Sequence, residues 1–275
     1  MSITVGKNIK LKLRNALLVV LVLYVMIGGL LYAFQEKLLF LPEPLDKDYA
    51  YSFEYPFEEL FLKTDSDGLI NALHFRVKNA DPKGVILYFH GNAGNLSRWG
   101  TVTEYFVEKQ YEVLVIDYRT YGKSKGQLKE SYFYSDAQHS YNYLKSFYDE
   151  SEITLYGRSL GTGIASYLAS TNMPKQLILE SPYYNIADVA ENRFPVFPVK
   201  SLLKYEFPNN EFLPQVQCPT TIFHGTEDHV VPYSSGKKLY ELGLKNVDLI
   251  PIEGGGHNNL INFDQYHKGI DNILN

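Results

Sequence analysis

The hydrophobic pattern of the chain begins with one long apolar run. The segment from Ala16 to Phe34 carries no charge and is mostly apolar on every helical face. As a helix of about 1.5 Å rise per residue it would be roughly 28 Å long, close to the hydrocarbon thickness of a bilayer. A buried helix would be shorter and amphipathic, and a cleaved signal peptide would end at a small-x-small site. The pattern therefore predicts a transmembrane anchor over residues 16–34.

Charge predicts how this anchor is oriented. Residues 1–15 form a basic tail without acidic residues, whereas only Lys37 follows shortly after the apolar run. The positive-inside rule then places the N-terminus in the cytoplasm and the remaining chain outside, in the periplasm or cell exterior of a bacterium. The basic residues of the tail are Lys7, Lys10, Lys12 and Arg14.

Residues 35–56 are predicted to be a juxtamembrane linker. Three prolines, Pro42, Pro44 and Pro56, interrupt regular structure there. The apolar part of this segment could lie along the membrane surface or against the folded domain.

From residue 57 to residue 275 the pattern alternates between strands and helices. A hairpin followed by strand–helix repeats predicts an α/β domain with a mostly parallel sheet and helices on both faces. Its ligands would bind beyond the carboxyl ends of the strands. The predicted strands are 59–63, 69–77, 84–90, 112–117, 153–156, 176–180, 220–224 and 247–252. The predicted helices are 96–110, 131–148, 232–242 and 259–273, with a mostly helical excursion over 184–205.

Composition excludes several functions. A net charge of −5 argues against a nucleic-acid partner, which would favour a basic surface. Cys218 is the single cysteine, so the chain forms no internal disulfide, and it reads as a buried residue rather than a nucleophile. No His, Asp or Glu residues have metal-ligand spacing, so we expect neither a metal nor another cofactor.

The pentapeptide Gly157-Arg158-Ser159-Leu160-Gly161 lies between a predicted strand and a predicted helix. A serine at such a sharp turn has a strained backbone and an exposed hydroxyl, and the glycines avoid collisions with the neighbouring strand and helix. Ser159 is therefore the candidate nucleophile. Alone, the string could also be an ordinary turn.

Two candidate partners follow in chain order, each just after a strand. Asp228 lies in a loop after an apolar strand, and His257 lies in a glycine-rich loop after the last strand. A serine hydroxyl attacks only when an imidazole takes its proton and a carboxylate orients that imidazole. The order Ser, Asp, His is that of α/β-hydrolases.

Other roles for these positions remain open. Asp228 could instead cap a helix, with Glu227 or Glu180 supplying the carboxylate, and His257 could be a solvated loop residue. His229 is a poor base because it adjoins Asp228 in the chain.

The oxyanion hole is predicted from two backbone amides. One is that of Leu160, at the start of the helix after the nucleophile. The other lies in the turn that follows His90-Gly91, where Asn92 is favoured and Ala93 is the alternative. The turn lacks the glycine and lysine spacing of a phosphate-binding loop.

Five strings together resemble the Bem46 family of α/β-hydrolases, whose animal relatives include membrane-associated serine hydrolases and protein depalmitoylases. The resemblance extends from about residue 30 to the C-terminus, and Thr120 departs from it where the family usually has glycine. It implies an eight-stranded sheet and a small cap over about residues 183–214. The strings are His90 to Asn95, Asp117 to Ser124, Gly157 to Gly161, Glu180 to Pro182 and His224 to Asp228.

These observations predict a membrane-anchored serine hydrolase that cleaves carboxylic esters or thioesters through an acyl-serine intermediate. Its substrate would be a small molecule or an acyl-protein. Aromatic residues of the cap would suit an acyl chain: Tyr183, Tyr184, Phe194 and Phe197. A peptidase or amidase on the same triad and a non-catalytic membrane organiser are the alternatives.

Overall fold

The computed structural model describes residues 2–78 and 81–274, with side chains from residue 10 onward. The described part does not include Met1 or the side chain of Lys7, which belong to the predicted basic tail, or Asn275 of the predicted α/β domain.

Eight strands form one sheet in the order β8-β7-β6-β5-β3-β4-β2-β1. All neighbours are parallel except that β2 runs antiparallel to both β1 and β4. This confirms the predicted hairpin and mostly parallel sheet. The strands are β1 Phe57–Lys63, β2 Leu69–Phe75, β3 Val85–Phe89, β4 Glu112–Ile116, β5 Ile153–Arg158, β6 Gln176–Glu180, β7 Thr220–Gly225 and β8 Val247–Ile252.

Helices cover both faces of this sheet, as predicted. Alternate residues of β3 point to opposite faces, so Leu87 and Ile86 belong to two different hydrophobic clusters. One cluster includes residues of α3, α4 and α8, and the other includes residues of α2 and α9. These helices are α2 Leu96–Glu108, α3 Glu130–Leu144, α4 Gly161–Thr171, α8 Tyr233–Tyr240 and α9 Asp264–Leu274. Short 3₁₀ turns occur at Glu150–Glu152, Leu213–Gln215 and Leu260–Asn262.

The N-terminal helix α1 extends from Ser2 to Leu39 and is long and apolar enough to cross a membrane. It is longer than the predicted anchor, because no proline occurs before Pro42 and the first predicted linker residues continue the helix. The chain beyond it lies against the domain. Phe40 is buried in the core, and Leu41–Pro42 pairs with Ala93–Gly94 as a two-stranded ribbon.

The segment between β6 and β7 forms the cap expected from the resemblance. It holds three short helices separated by prolines, because proline interrupts helical hydrogen bonding. These helices are α5 Ile186–Arg193, α6 Val199–Leu202 and α7 Asn209–Phe212.

Candidate active site

Ser159 lies at the tight turn between β5 and α4, with a backbone φ of 50°. This left-handed conformation is strained for serine and is typical of a nucleophile turn. A Cβ at Gly157 would lie 2.6 Å from the Gly161 carbonyl oxygen, and one at Gly161 would lie 2.1 Å from that of Phe89. Both glycines are therefore required for the strand and helix to approach this closely.

The structure brings the three predicted side chains together. The Ser159 hydroxyl donates to His257 Nε2 over 2.9 Å, and His257 Nδ1 donates to Asp228 Oδ2 over 2.7 Å. The Asp228 side chain is fully buried, whereas the imidazole remains 10% exposed toward the cleft. This geometry allows the imidazole to accept the hydroxyl proton while the carboxylate fixes its tautomer.

The Asp228 carboxylate is held by several donors. The amides of Val230 and Val231 donate to Oδ1, each over 2.9 Å. Burial alone raises the pKa of this carboxyl, but hydrogen bonds from two imidazoles and the Val231 amide outweigh it and hold the pKa well below its usual range. The group is therefore an anion at neutral pH. The same bonds show that Asp228 orders its own loop while it binds the histidine.

A close backbone contact fixes the two loops relative to each other. A Cβ on Gly225 would lie 2.2 Å from the Gly255 carbonyl oxygen, and the Glu227 amide donates to that same carbonyl over 2.9 Å. The loops that carry Asp228 and His257 are thus joined by backbone contacts, in addition to the hydrogen bond between the two side chains.

The rival residues have other environments. The buried Glu180 accepts a hydrogen bond from Tyr156 and pairs with Arg158 at 3.3 Å. Glu227 is exposed to solvent. His229 is also exposed and lies at the wall of the cleft that contains Ser159.

The two residues whose amides are expected to form the oxyanion hole, Leu160 and Asn92, line the same cleft. Leu160 follows the nucleophile at the N-terminus of α4, and Asn92 lines the cleft together with Ser159. Ala93 instead belongs to the ribbon with Leu41. The carbonyl of Asn92 accepts hydrogen bonds from the Leu41 amide and the Tyr121 hydroxyl, each over 2.8 Å, which hold the loop in place. Of the two candidates in this turn, Asn92 lines the cleft and Ala93 lies in the ribbon.

The cleft above Ser159 has a volume of about 640 Å³ and a mostly apolar lining. Tyr183 and Phe194 of the cap line it, whereas Tyr184 and Phe197 do not. Phe197 instead stacks on Tyr24 of α1, with ring centroids 4.8 Å apart. Of the four cap aromatic residues expected to suit an acyl chain, two therefore line the cleft in this structure.

Sequence reasoning missed several residues at the site. Arg158 lies beneath the histidine loop, where its guanidinium donates to Asn258 over 3.3 Å. His224 lies behind Asp228, and the α1 residues Leu31 and Leu38 line the cleft. The position of Arg158 beside the nucleophile was a usable signal for the first of these. Nothing in a uniformly apolar helix distinguishes the residues of α1.

Within residues 2–78 and 81–274, no group of three or more His, Cys, Asp or Glu side chains could hold a metal ion. Cys218 is buried, and burial raises the pKa of its thiol to about 11.

The fold and this site define a serine hydrolase of the α/β-hydrolase superfamily. A family model described as "Serine aminopeptidase, S33" matches residues 80–212. The Pyrococcus furiosus esterase is similar in structure, with a TM-score of 0.66 and 16% identity over 86% of this chain and 96% of that one. The Butyrivibrio proteoclasticus esterase bound to ferulic acid has a TM-score of 0.60 and 20% identity over 78% of this chain and 96% of that one.

Sequence similarity identifies the family more closely. The chain is 31% identical to the lysophosphatidylserine lipase ABHD12 of Macaca fascicularis, over 86% of this chain and 71% of that protein. It is 30% identical to an uncharacterised protein of Acanthamoeba polyphaga mimivirus, over 78% of this chain and 80% of that protein. The chain belongs to the α/β-hydrolase family that includes ABHD12, which is consistent with the Bem46 resemblance.

Proposed function

We propose that the protein hydrolyses acyl esters through an acyl-Ser159 intermediate. His257 takes the Ser159 proton as Oγ forms a bond to the acyl carbonyl carbon, and then gives that proton to the leaving alcohol as the ester bond breaks. Water repeats the sequence and releases the acid. Asp228 orients the imidazole and stabilises its cationic form.

The observation that carries this proposal is the continuous hydrogen-bonded chain from Ser159 through His257 to Asp228. The amides of Leu160 and Asn92 would hold the negative oxygen of the tetrahedral intermediate, and each such donor contributes about 3 kcal/mol.

We further propose a lipid ester or thioester as the substrate class. The cleft is large enough for an acyl chain and its lining is mostly apolar. The relative ABHD12 is named a lysophosphatidylserine lipase, which favours a monoacyl lipid over a small soluble ester. An acyl-protein substrate would use the same cleft for its acyl chain.

The same proposal includes membrane anchoring by α1. Lys10, Lys12 and Arg14 precede the apolar run and Lys37 follows it, so the N-terminus would be cytoplasmic and the catalytic domain outside. An anchored enzyme would meet its substrate at the bilayer surface.

A peptidase or amidase is the second candidate, because the matching family model is described as a serine aminopeptidase. The triad alone does not separate the two reactions. The apolar cleft favours the ester. Comparing p-nitrophenyl esters with aminoacyl amides tests this directly: preferential amide turnover would support the peptidase.

The central experiment uses the full-length enzyme in phosphatidylcholine vesicles. We expect a fluorophosphonate probe to label the wild type and not Ser159→Ala, and lysophospholipid hydrolysis to disappear in the same variant. Folded protein without labelling would refute the proposal and favour a membrane organiser. Labelling without lipid hydrolysis would support Ser159 as the nucleophile and would refute a lipid ester as the substrate.

A further inference from the structure

One stripe of α1 is covered by the protein, although the rest of the helix is exposed. Between residues 10 and 39, exposure is reduced only at Gly28, Leu31, Gln35 and Leu39. Spacings of three and four residues place these positions on one helical face. The helix therefore has a defined orientation relative to the domain.

The cap covers this face. The Gln35 side chain donates to the Leu202 carbonyl over 2.9 Å and accepts from the Lys204 amide over 2.7 Å. Farther along α1, the Tyr24 hydroxyl donates to the Val196 carbonyl over 2.9 Å. Cap residues 196–204 thus follow α1 from Tyr24 to Gln35, a helical length of about 16 Å.

This contact reaches far into the apolar run. Tyr24 lies ten residues before Phe34, which corresponds to about 15 Å along the helix axis, and even a tilt of 40° leaves about 11 Å of depth. A bilayer has a hydrocarbon core of about 30 Å. If α1 spans it, the cap tip that contacts Tyr24 lies within that core and not at the surface.

The composition of the cap tip, residues 194–198, suits this environment. Pro195 and Pro198 have no N–H group that lipid would leave unpaired. The amides of Phe194 and Phe197 donate to the carbonyls of Ala190 and Phe194. Val196 is an apolar residue that is 71% exposed in the protein alone.

Charged residues lie on either side of the tip. Arg193 precedes it and lines the cleft, and Lys200 follows it, paired with Glu191 at 3.3 Å. Long basic side chains can extend along apolar surface to the headgroup layer. They limit insertion to the tip itself.

The cleft opens beside this contact. Leu31 and Leu38 of α1 line this cleft together with Phe194 of the cap, and Ser159 lies in the same cleft. A chain entering between α1 and the cap would thus reach the nucleophile without crossing water.

We propose that α1 is part of the substrate site as well as an anchor. The cap tip inserts into the bilayer beside it, and the acyl chain of a membrane lipid enters the cleft sideways, between α1 and the cap. This rests on the proposed function for its substrate class, but insertion of the tip is independent of catalysis.

The first test measures depth directly. Full-length Val196→Cys is labelled with an environment-sensitive fluorophore and placed in phosphatidylcholine vesicles carrying a spin label at mid-chain. We expect the emission to be blue-shifted and to be quenched by the spin-labelled lipid. Iodide, which stays in the water, should not quench it.

Met173→Cys is the matched control, because Met173 is also an exposed apolar residue and lies beyond the far end of α4. It should show the opposite response. Unsubstituted protein measures background labelling of Cys218, which burial and its raised pKa make slow. Iodide quenching of the Val196→Cys label, without quenching by lipid, would overturn the proposal even if the enzyme is an active hydrolase.

The second test identifies the path of the acyl chain. A lysophosphatidylcholine with a diazirine at the end of its acyl chain is photolysed in vesicles with full-length Ser159→Ala, which cannot consume it if the proposed mechanism holds. We expect crosslinks in α1 residues 28–39 and cap residues 194–203. Crosslinks confined to other surfaces would overturn the lateral path. If the wild type were not labelled by the fluorophosphonate, the proposed catalysis would be refuted, but the crosslinking result would still stand.

Discussion

The imidazole of His224 lies behind the carboxylate of Asp228, with Nε2 3.4 Å from Oδ2. Its Nε2 also lies 2.9 Å from the Val231 carbonyl, which accepts hydrogen bonds only, so Nε2 carries the proton. The Cα of Gly236 leaves no room beyond Nδ1, since a Cβ there would lie 2.4 Å from that atom. His224 is therefore fixed in place, and we expect it to act as a positioning residue for the Asp228 carboxylate.

We expect His224→Phe to lower kcat by about 10-fold or more with little change in KM, because a hydrogen bond to a charged group contributes about 1.5–3 kcal/mol. His224→Gln, which keeps a donor near the position of Nε2, should recover part of this loss. Steady-state kinetics over a range of pH measures both. If kcat fell equally in both variants, and their thermal stability fell by the same amount, His224 would have only a structural role.

Gly161, two residues after Ser159, should tolerate no side chain. Gly161→Ala places a Cβ 2.1 Å from the Phe89 carbonyl, so β3 and α4 must separate, at a cost of about 1–3 kcal/mol or more. We expect lower thermal stability and loss of fluorophosphonate labelling. Gly29→Ala in α1 is the control, because no atom lies within 4 Å of its added Cβ. A fully labelled Gly161→Ala protein would contradict the close contact.

Thr120 has a φ of 75°, a conformation that favours glycine. This explains physically why the resembling family usually has glycine there. We expect Thr120→Gly to increase the free energy of unfolding by about 1 kcal/mol, since relief of strain exceeds the entropy that glycine loses. Calorimetry would show an increase in Tm of about 2–4 °C. A decrease would mean that contacts of the threonine side chain outweigh the strain.

The buried thiol of Cys218 should make stability depend on alkaline pH. Burial raises its pKa from 9.0 to about 11, so between these values the unfolded chain loses a proton that the folded protein keeps. Stability is then full below about pH 9 and falls as the pH rises toward 11. Denaturant unfolding of the wild type and Cys218→Ala at several pH values measures the difference. A constant difference across this interval would refute the raised pKa.

Most of the fold could be predicted because its signals are local. The buried parallel strands are short apolar runs, and Ser159, Asp228 and His257 each follow one of them, so topology brings them to one edge of the sheet. The turn at Ser159 could also be predicted, because glycines on both sides of it allow the strand and the helix to pack this closely.

The contacts of the cap and α1 could not be predicted in the same way. All faces of the apolar run have the same composition, so the sequence does not show that Leu31 would line the cleft or that Gln35, directly after the run, would be buried by the cap. Tyr184 and Phe197 belong to a segment of short helices whose orientation depends on packing against distant residues. Periodicity carries no information about such packing.

The spacing between Tyr24 and Gln35 limits which insertions α1 can accept. Both residues bind the cap from one face of α1, and one inserted residue between them would turn that face by about 100° and release one of the two contacts. A helix that served only as a membrane anchor would need to keep only its length and its hydrophobicity. If α1 anchors the protein as proposed, a foreign helix of equal hydrophobicity would still anchor it, but the cleft would lose the lining that Leu31 and Leu38 provide.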